Sequence, residues 1–503
     1  MLAAVPSATL LGVQGHRVRV EVHVSEGLPG FTVVGLPDAS CREARDRVRA
    51  ALLSSQLIWP LKRVTVNLAP TNLRKAGSGL DLAIAVALLG ASGQLDPELL
   101  RGAAFLGELG LDGAVRRVIG MLPLCEAVGA SRPVVPLVDL HEASLVRPDA
   151  RGVASLTQLV LALRGEEPWP QAPGPRRVPE PPGPVPDLAE VQGHAIARGA
   201  LEVAAAGGHH LLMVGPPGAG KTMLAERLPG LLPDLDDAGA LDVSRVHSAA
   251  GSLSDVPSLV RRPPFRSPHH TASLVALIGG GSSVLRPGEI SLASGGVLFL
   301  DELGEFPAAH LDALRQPLES GEIRVARAMV GATLPARFLL VAATNPCPCG
   351  AGPLGRCRCS PGQVARYLRR LSGPLLDRFD LGLWVDPPEP AAVLGTGSAG
   401  ESTAVVRDRV AAARERARAR GVDANRQLRG EALDRAAPLS DAGVALLRDR
   451  LEAGTLTMRG AQRVRVVALT IMDLEERSGR LTPDELHVAL SLRSQDGVLG
   501  VAA

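Results

Sequence analysis

Residues 17–24 (RVRVEVHV) alternate polar and apolar side chains without a break. That period of two predicts a strand with one buried face and one wet face. Residues 64–68 predict a second strand, residues 81–89 are apolar on nearly every side and predict a buried helix, and residues 134–137 predict a later strand. This mixture reads as an α/β or α+β unit. The pattern changes further along. Residues 209–214 (HHLLMV), 297–300 and 338–342 are short runs dominated by apolar side chains, with helical patterns between them. Buried strands alternating with helices predict a parallel sheet covered on both faces. Beyond about Pro387 the period is mostly helical, with a break at residues 395–402. Residues 165–186 hold nine prolines and read as an extended, semi-rigid linker. The expected organisation is a first domain over 1–164, the linker 165–186, an α/β core over 187–387 that carries a cysteine-rich loop at 345–361, and a helical lid over 388–503.

Composition narrows the function classes. With 503 residues, 46% hydrophobic and 21% charged, the chain has the makings of two to four globular domains and not of a disordered polymer. The formal net charge is +2, from 54 basic and 52 acidic residues, so any surface for nucleic acid must be local. Lysine is nearly absent; only Lys62, Lys75 and Lys221 occur, which makes each conspicuous. Aromatic residues are 2% of the chain, with a single tyrosine, Tyr367. A binder that stacks successive bases on aromatic rings is therefore excluded, and a grip on nucleic acid would be a grip on its backbone. The longest apolar run, residues 82–91, falls short of the ~20 needed to span a bilayer. No basic stretch followed by an apolar core opens the sequence, and four of the six cysteines lie between 347 and 359. A cytoplasmic, reducing setting without membrane contact or disulfides is expected.

The strongest chemical signal is Gly215, Pro216, Pro217, Gly218, Ala219, Gly220, Lys221 and Thr222, which fits G-x-x-x-x-G-K-[ST]. Glycines let backbone N–H groups turn inward around phosphate oxygens, and the N-terminus of the following helix adds a favourable dipole. Lys221 is expected to reach the β- and γ-phosphates and Thr222 to ligate Mg²⁺. The buried run 297–300 ends in Asp301 and Glu302, at the strand end where ligands sit in open α/β sheets. Asp301 is expected to hold Mg²⁺, and Glu302 to orient and deprotonate the attacking water. Asn345, after the third strand, could hold that water. Arg378 follows at a spacing that suggests a finger aimed at a neighbouring subunit's nucleotide. Arg459 and Arg463, four apart on one helical face, could touch the γ-phosphate of their own subunit.

These residues resemble those of an AAA+ ATPase. Residues 265–273 (FRSPHHTAS), 279–281 (GGG), 286–293 (RPGEISLA) and 296–303 (GVLFLDEL) resemble the magnesium-chelatase-like branch, and within it the YifB/ComM family. Residues 35–38 (GLPD), 66–70 (VNLAP), 73–75 (LRK), 345–350 (NPCPCG) and 357–361 (CRCSP) carry the same resemblance into the rest of the chain. The resemblance implies a homo-hexameric ring that hydrolyses ATP with Mg²⁺. It also implies a DNA helicase, acting in branch migration during recombination or natural transformation. The alternative within the same branch is an ATP-driven remodeller of a protein or metal-insertion partner.

Residues from about 64 to 136 resemble the Lon protease catalytic domain. Aligned on the glycine of residues 75–81, Gly79 takes the place of that family's nucleophilic serine and Ser78 lies one position early. After residues 119–122 comes Pro123 where the resemblance requires a lysine, and no lysine occurs between Lys75 and Lys221. A Ser–Lys dyad needs both groups within hydrogen-bond reach. The first domain is therefore expected to be a non-catalytic scaffold, and an ATP-dependent peptidase is disfavoured.

Two further features carry expectations. Cys347, Cys349, Cys357 and Cys359 supply four thiols in thirteen residues, a set that suits tetrahedral Zn²⁺, with reduced cysteines in a surface loop as the alternative. Residues 322–331 read as strand, turn, strand, and a hairpin at this place in the branch points into the pore. Arg324 and Arg327 are the first candidates for DNA phosphate contacts, and Arg266 the next; the alternative is a solvated hairpin face.

Overall fold

The alternation at 17–24 belongs to a longer strand, Gln14–Ser25, in which Val18, Val20, Val22 and Val24 are buried and the residues between them are not. It pairs antiparallel with Leu2–Leu11 on one side and with Arg63–Ala69 on the other, and Gly30–Val34 joins in parallel beyond Arg63–Ala69. The helix Asp81–Ala91 packs on this sheet with every residue buried, as an all-round apolar helix must be. Its one charge, Asp81, accepts two hydrogen bonds from Arg47 at 2.6 and 3.0 Å, yet burial still pushes its carboxyl up to about 6. The computed structural model describes residues 1–75, 77–171, 186–253, 258–281, 285–327, 330–351, 357–371, 373–388 and 400–493. Most of the proline-rich linker and of the 395–402 break lie outside the described residues.

The second unit is built on a five-stranded parallel sheet in the order Phe265–Arg266, Val297–Leu300, Leu339–Thr344, Leu211–Val214, Leu381–Trp384. The three middle strands are buried throughout. Side chains alternate between two cores, Leu211 and Met213 entering one and Leu212 and Val214 the other, which is the two-sided cover expected for a parallel sheet. The outer strands Phe265–Arg266 and Leu381–Trp384 were not expected from the sequence; the first is only two residues long. Beyond the sheet, helices Thr403–Ala419, Asp441–Glu452, Met458–Leu474 and Pro483–Ser491 form a lid that shares the first of these cores. No helix among the described residues is long and apolar enough to cross a membrane.

The lid and the sheet are joined by a buried polar knot. His209 Nε2 meets Thr470 Oγ1 at 2.9 Å, His210 Nδ1 accepts from Leu340 N at 3.0 Å, and Asp380 accepts from His210 N and Arg426. Burial holds His209 down to about 4, so the ring is neutral at physiological pH. The first unit docks on helix Asp237–Ala250. There Arg245 donates to both oxygens of Glu126, and Ser248 Oγ donates to Glu142 at 2.5 Å. Val13, in the turn between the first two strands, is buried in the second unit's core.

Candidate nucleotide site

The strand Leu211–Val214 ends directly in the glycine-rich loop, and the helix Lys221–Leu231 begins where the loop ends. Local packing dictates the glycines. A Cβ on Gly215 would lie 2.2 Å from Val385 O, and Gly218 and Gly220 have φ of +76° and +83°. Only glycine enters that left-handed region without cost. The loop and the ends of two neighbouring strands enclose a cavity of about 420 Å³, reached by Lys221, Thr222, Asp301, Glu302 and Asn345.

Lys221 Nζ donates to the carbonyls of Gly215 at 2.7 Å and Pro216 at 2.9 Å, and to Asn345 Oδ1 at 3.3 Å. Burial lowers its pKa from the usual lysine value. Thr222 Oγ1 donates to Asp301 Oδ2 at 2.7 Å, so two hard oxygen ligands already converge. The chemistry of this pair fits Mg²⁺, which takes oxygen ligands and keeps much of its water. Glu302 has φ +51°, uncommon for a residue with a side chain, and its amide donates to Asp301 Oδ1 at 2.8 Å. Its carboxylate oxygen Oε2 lies 3.0 Å from His270 Nδ1. That contact spans 32 positions and no periodic signal announced it.

Arg378 is placed elsewhere. It does not reach the cavity; it is largely buried, pairs with Glu319, and its Nε has no hydrogen-bond partner among the described residues. Burial, and then the positive charge of Arg459, lower its guanidinium from the ordinary value. Arg459 and Arg463 do not line the cavity of their own chain. Arg459 is exposed and electrostatically coupled to Arg378, and Arg463 donates to Phe379 O at 2.9 Å. The start of the lid helix Met458–Leu474 instead meets the segment that carries Arg378.

The four cysteine sulfurs lie within 4.8 Å of one another, with Cys347 3.4 Å from Cys349 and 3.6 Å from Cys357. The loop presses on the phosphate site, since a Cβ on Gly350 would lie 2.7 Å from the Pro217 ring. The following helix, Pro361–Leu368, brings Tyr367 to Thr344 Oγ1 at 3.0 Å. Of the candidate DNA contacts, Arg324 is exposed on the strand Glu322–Arg327, which pairs with Val330–Pro335. Arg327, three positions on, ends that strand. Arg266 is engaged: both oxygens of Glu289 accept from it at 2.6 and 2.7 Å. In the first unit, Lys75 Nζ donates to Pro70 O and Ser78 Oγ pairs with Glu108, so each has a partner other than the other.

Residues 187–393 match the family model described as magnesium chelatase, subunit ChlI. Residues 20–136 and 400–493 match two further models, for subunit ChlI of Mg-chelatase and for the ChlI C-terminal part. YifB of Escherichia coli K12 is 44% identical over 505 residues, covering 99% of this chain and 98% of that protein. The competence protein ComM of Haemophilus influenzae is 45% identical over 505 residues, covering 98% and 97%. The chain belongs to the YifB/ComM family of magnesium-chelatase-like AAA+ ATPases. Membership in this family brings with it the use of ATP and Mg²⁺, in agreement with the oxygen pair and phosphate loop described above. A partial similarity also reaches a probable DNA helicase, MCM9 of Arabidopsis thaliana, at 26% identity over 177 residues, 35% of this chain and 22% of that one.

Proposed function

We propose that this YifB/ComM-family chain is an ATP-hydrolysing ring motor that moves along DNA, a helicase or translocase serving branch migration in recombination or natural transformation. The observation that carries the ring is Arg378. A largely buried guanidinium with an unpartnered Nε, beside a second arginine and away from its own chain's cavity, fits a nucleotide supplied by a neighbour. A homo-hexamer is the assembly the family resemblance implies. Within the site, Lys221 leaves the Gly215 and Pro216 carbonyls to meet the β- and γ-phosphates. Thr222 and Asp301 hold Mg²⁺, which supplies neutralising charge at those phosphates. Asn345 orients the attacking water and Glu302 takes its proton.

The DNA part of the reading is supported by the description of ComM as a competence protein and of MCM9 as a probable DNA helicase, and by exposed Arg324 on the hairpin. Its test is the ATPase rate with and without single-stranded, duplex and four-way-junction DNA, with Glu302→Gln as the blank. Stimulation by DNA is expected, with Arg324→Ala weakening it alike for all sequences, as loss of a phosphate contact does. Normal basal hydrolysis that no DNA stimulates would sink the DNA reading. It would favour a remodeller of a protein or metal-insertion partner, the alternative that the magnesium chelatase match keeps open.

The cysteine loop is proposed as a structural zinc site. Four thiolates around Zn²⁺ at ~2.3 Å stand somewhat under 4 Å apart, and the sulfur separations of 3.4, 3.6 and 3.7 Å among Cys347, Cys349 and Cys357 are close to that. One zinc per chain is expected by elemental analysis of protein purified without added metal. Cys349→Ser/Cys357→Ser should lose it and unfold at lower temperature. A metal-free parent chain with all four thiols titratable would refute the assignment.

A further inference from the structure

The first unit reaches into the second at the foot of the hairpin that carries Arg324. Its turn, Gly12 and Val13, joins the strands Leu2–Leu11 and Gln14–Ser25. Val13 is buried in the same apolar cluster as Ile323 and Leu334, and Leu10 and Val325 pack against that cluster. Gly12 has φ +63°, and a Cβ there would lie 3.0 Å from Ala332 Cβ and 3.2 Å from Leu334 Cδ2. The turn thus needs glycine twice over, for its backbone and for the closeness of the hairpin.

The register of the hairpin gives this contact its meaning. Ile323 stands opposite Leu334, Arg324 opposite Thr333 and Val325 opposite Ala332. Side chains alternate across a strand, so the first and third pairs share one face and the second pair lies on the other. Burial agrees: Ile323 and Leu334 are buried, Val325 and Ala332 are half-buried, and Arg324 and Thr333 are exposed. A two-stranded hairpin is marginal in water unless one face is packed. Part of that packing comes from the first unit, whose turn abuts Ala332 and Leu334. The same unit is anchored elsewhere. Gly120 N donates to Ser248 O at 3.1 Å, Leu122 N donates to Ser248 Oγ at 3.3 Å, and Arg245 holds Glu126. Both of these second-unit partners lie on the helix Asp237–Ala250. The turn is therefore a fixed point against which the hairpin is set.

We propose that Gly12 and Val13 are positioning residues for the hairpin. Through them the first unit holds the hairpin's apolar face and so presents Arg324, on the opposite face, to a DNA phosphate backbone. This rests on the motor reading above. It gives the first unit a role that needs no protease chemistry: it sets the DNA response of a nucleotide site that its turn does not touch, since neither residue lines the cavity around Lys221.

The test measures ATP turnover of the full chain against duplex DNA concentration, at several salt concentrations, with Glu302→Gln as the blank. The chains compared are the parent, Val13→Ala, Gly12→Ala, Arg324→Ala and Val13→Ala/Arg324→Ala. Without DNA, Val13→Ala and Gly12→Ala should keep kcat and KM for ATP near the parent's, which also shows that they fold; either one serves if the other does not. The DNA concentration for half-maximal stimulation should rise about fivefold at about 0.15 M salt, the electrostatic worth of one phosphate contact, and its logarithmic slope against salt should flatten by about one. The double variant should respond to DNA no more weakly than Arg324→Ala, because both changes act through one contact, whereas a general loosening of the core would add to it. Gly12→Ala/Ala332→Gly, which returns the space, should recover part of the response. DNA responses equal to the parent's in Val13→Ala and Gly12→Ala, basal rates that fall in step with the stimulated ones, or full additivity with Arg324→Ala would each overturn the proposal and leave the motor reading standing. A parent that no DNA stimulates overturns both.

Discussion

Arg378→Ala is expected to lower ATP turnover by about 10³–10⁵-fold, the range found for arginine fingers, while nucleotide binding persists. The argument is geometric. Lys221, Thr222, Asp301, Glu302 and Asn345 share one cavity, and Arg378 does not reach it. Arg378 is instead kept largely out of water beside Arg459, paired with Glu319; burial and the neighbouring positive charge lower its pKa, and its Nε has no hydrogen-bond partner among the described residues. A positive charge so placed gains most when a phosphate is presented to it, and the nearest phosphate available is one bound to another copy of the chain. The decisive form of the experiment is a mixture. Lys221→Ala chains have no working phosphate loop but keep Arg378, and Arg378→Ala chains have the reverse. Each should be inactive alone, and mixing should recover a substantial fraction of parent turnover. Near-parent activity of Arg378→Ala alone, or no recovery on mixing, would remove the arginine from the chemistry and with it the main support for the ring.

Glu302→Gln is the second large effect. General bases contribute about 10²–10⁴-fold, and the amide can still hydrogen-bond while taking no proton. ATP affinity is expected to stay near the parent's, because the contacts of the phosphate loop run through Lys221 and Thr222 and none of the loop's hydrogen bonds uses Glu302. Fluorescent-nucleotide titration beside single-turnover hydrolysis separates the two. A variant that binds poorly and hydrolyses in proportion would mean that Glu302 holds substrate or Mg²⁺ and is not the base.

The parts of the site that the sequence announces are those carried by consecutive residues. Gly215 to Thr222 spell their own backbone path, because glycine at a left-handed position and a lysine at a helix start are local requirements. The run 297–300 coincides with the strand Val297–Leu300, and the apolar run at 81–89 with the buried helix Asp81–Ala91, since a fully apolar stretch of that length has nowhere to go but inside. The four cysteines were equally visible, and their sulfurs do converge.

Other features depended on partners distant in the chain. The sequence offers Arg266 as a candidate phosphate contact but gives no sign that Glu289, 23 positions on, takes both sides of its guanidinium. Helical spacing lets Arg459 or Arg463 touch the γ-phosphate of its own subunit, and the fold places Arg459 close enough to Arg378 for the two charges to act on each other. His270 gave no signal toward Glu302, because the segments that follow two adjacent strands meet only when the sheet has formed.

By itself, then, the sequence determined the chemistry on offer: a phosphate loop, a pair of acids at a strand end, a thiol cluster, and the family they belong to. Tertiary structure decided which charges remain available and which are already spent. Hydrophobic period and backbone preference act over a few residues and survive in the linear order, whereas ion pairs and burial are set by strand order and helix docking, which bring together residues tens to hundreds of positions apart.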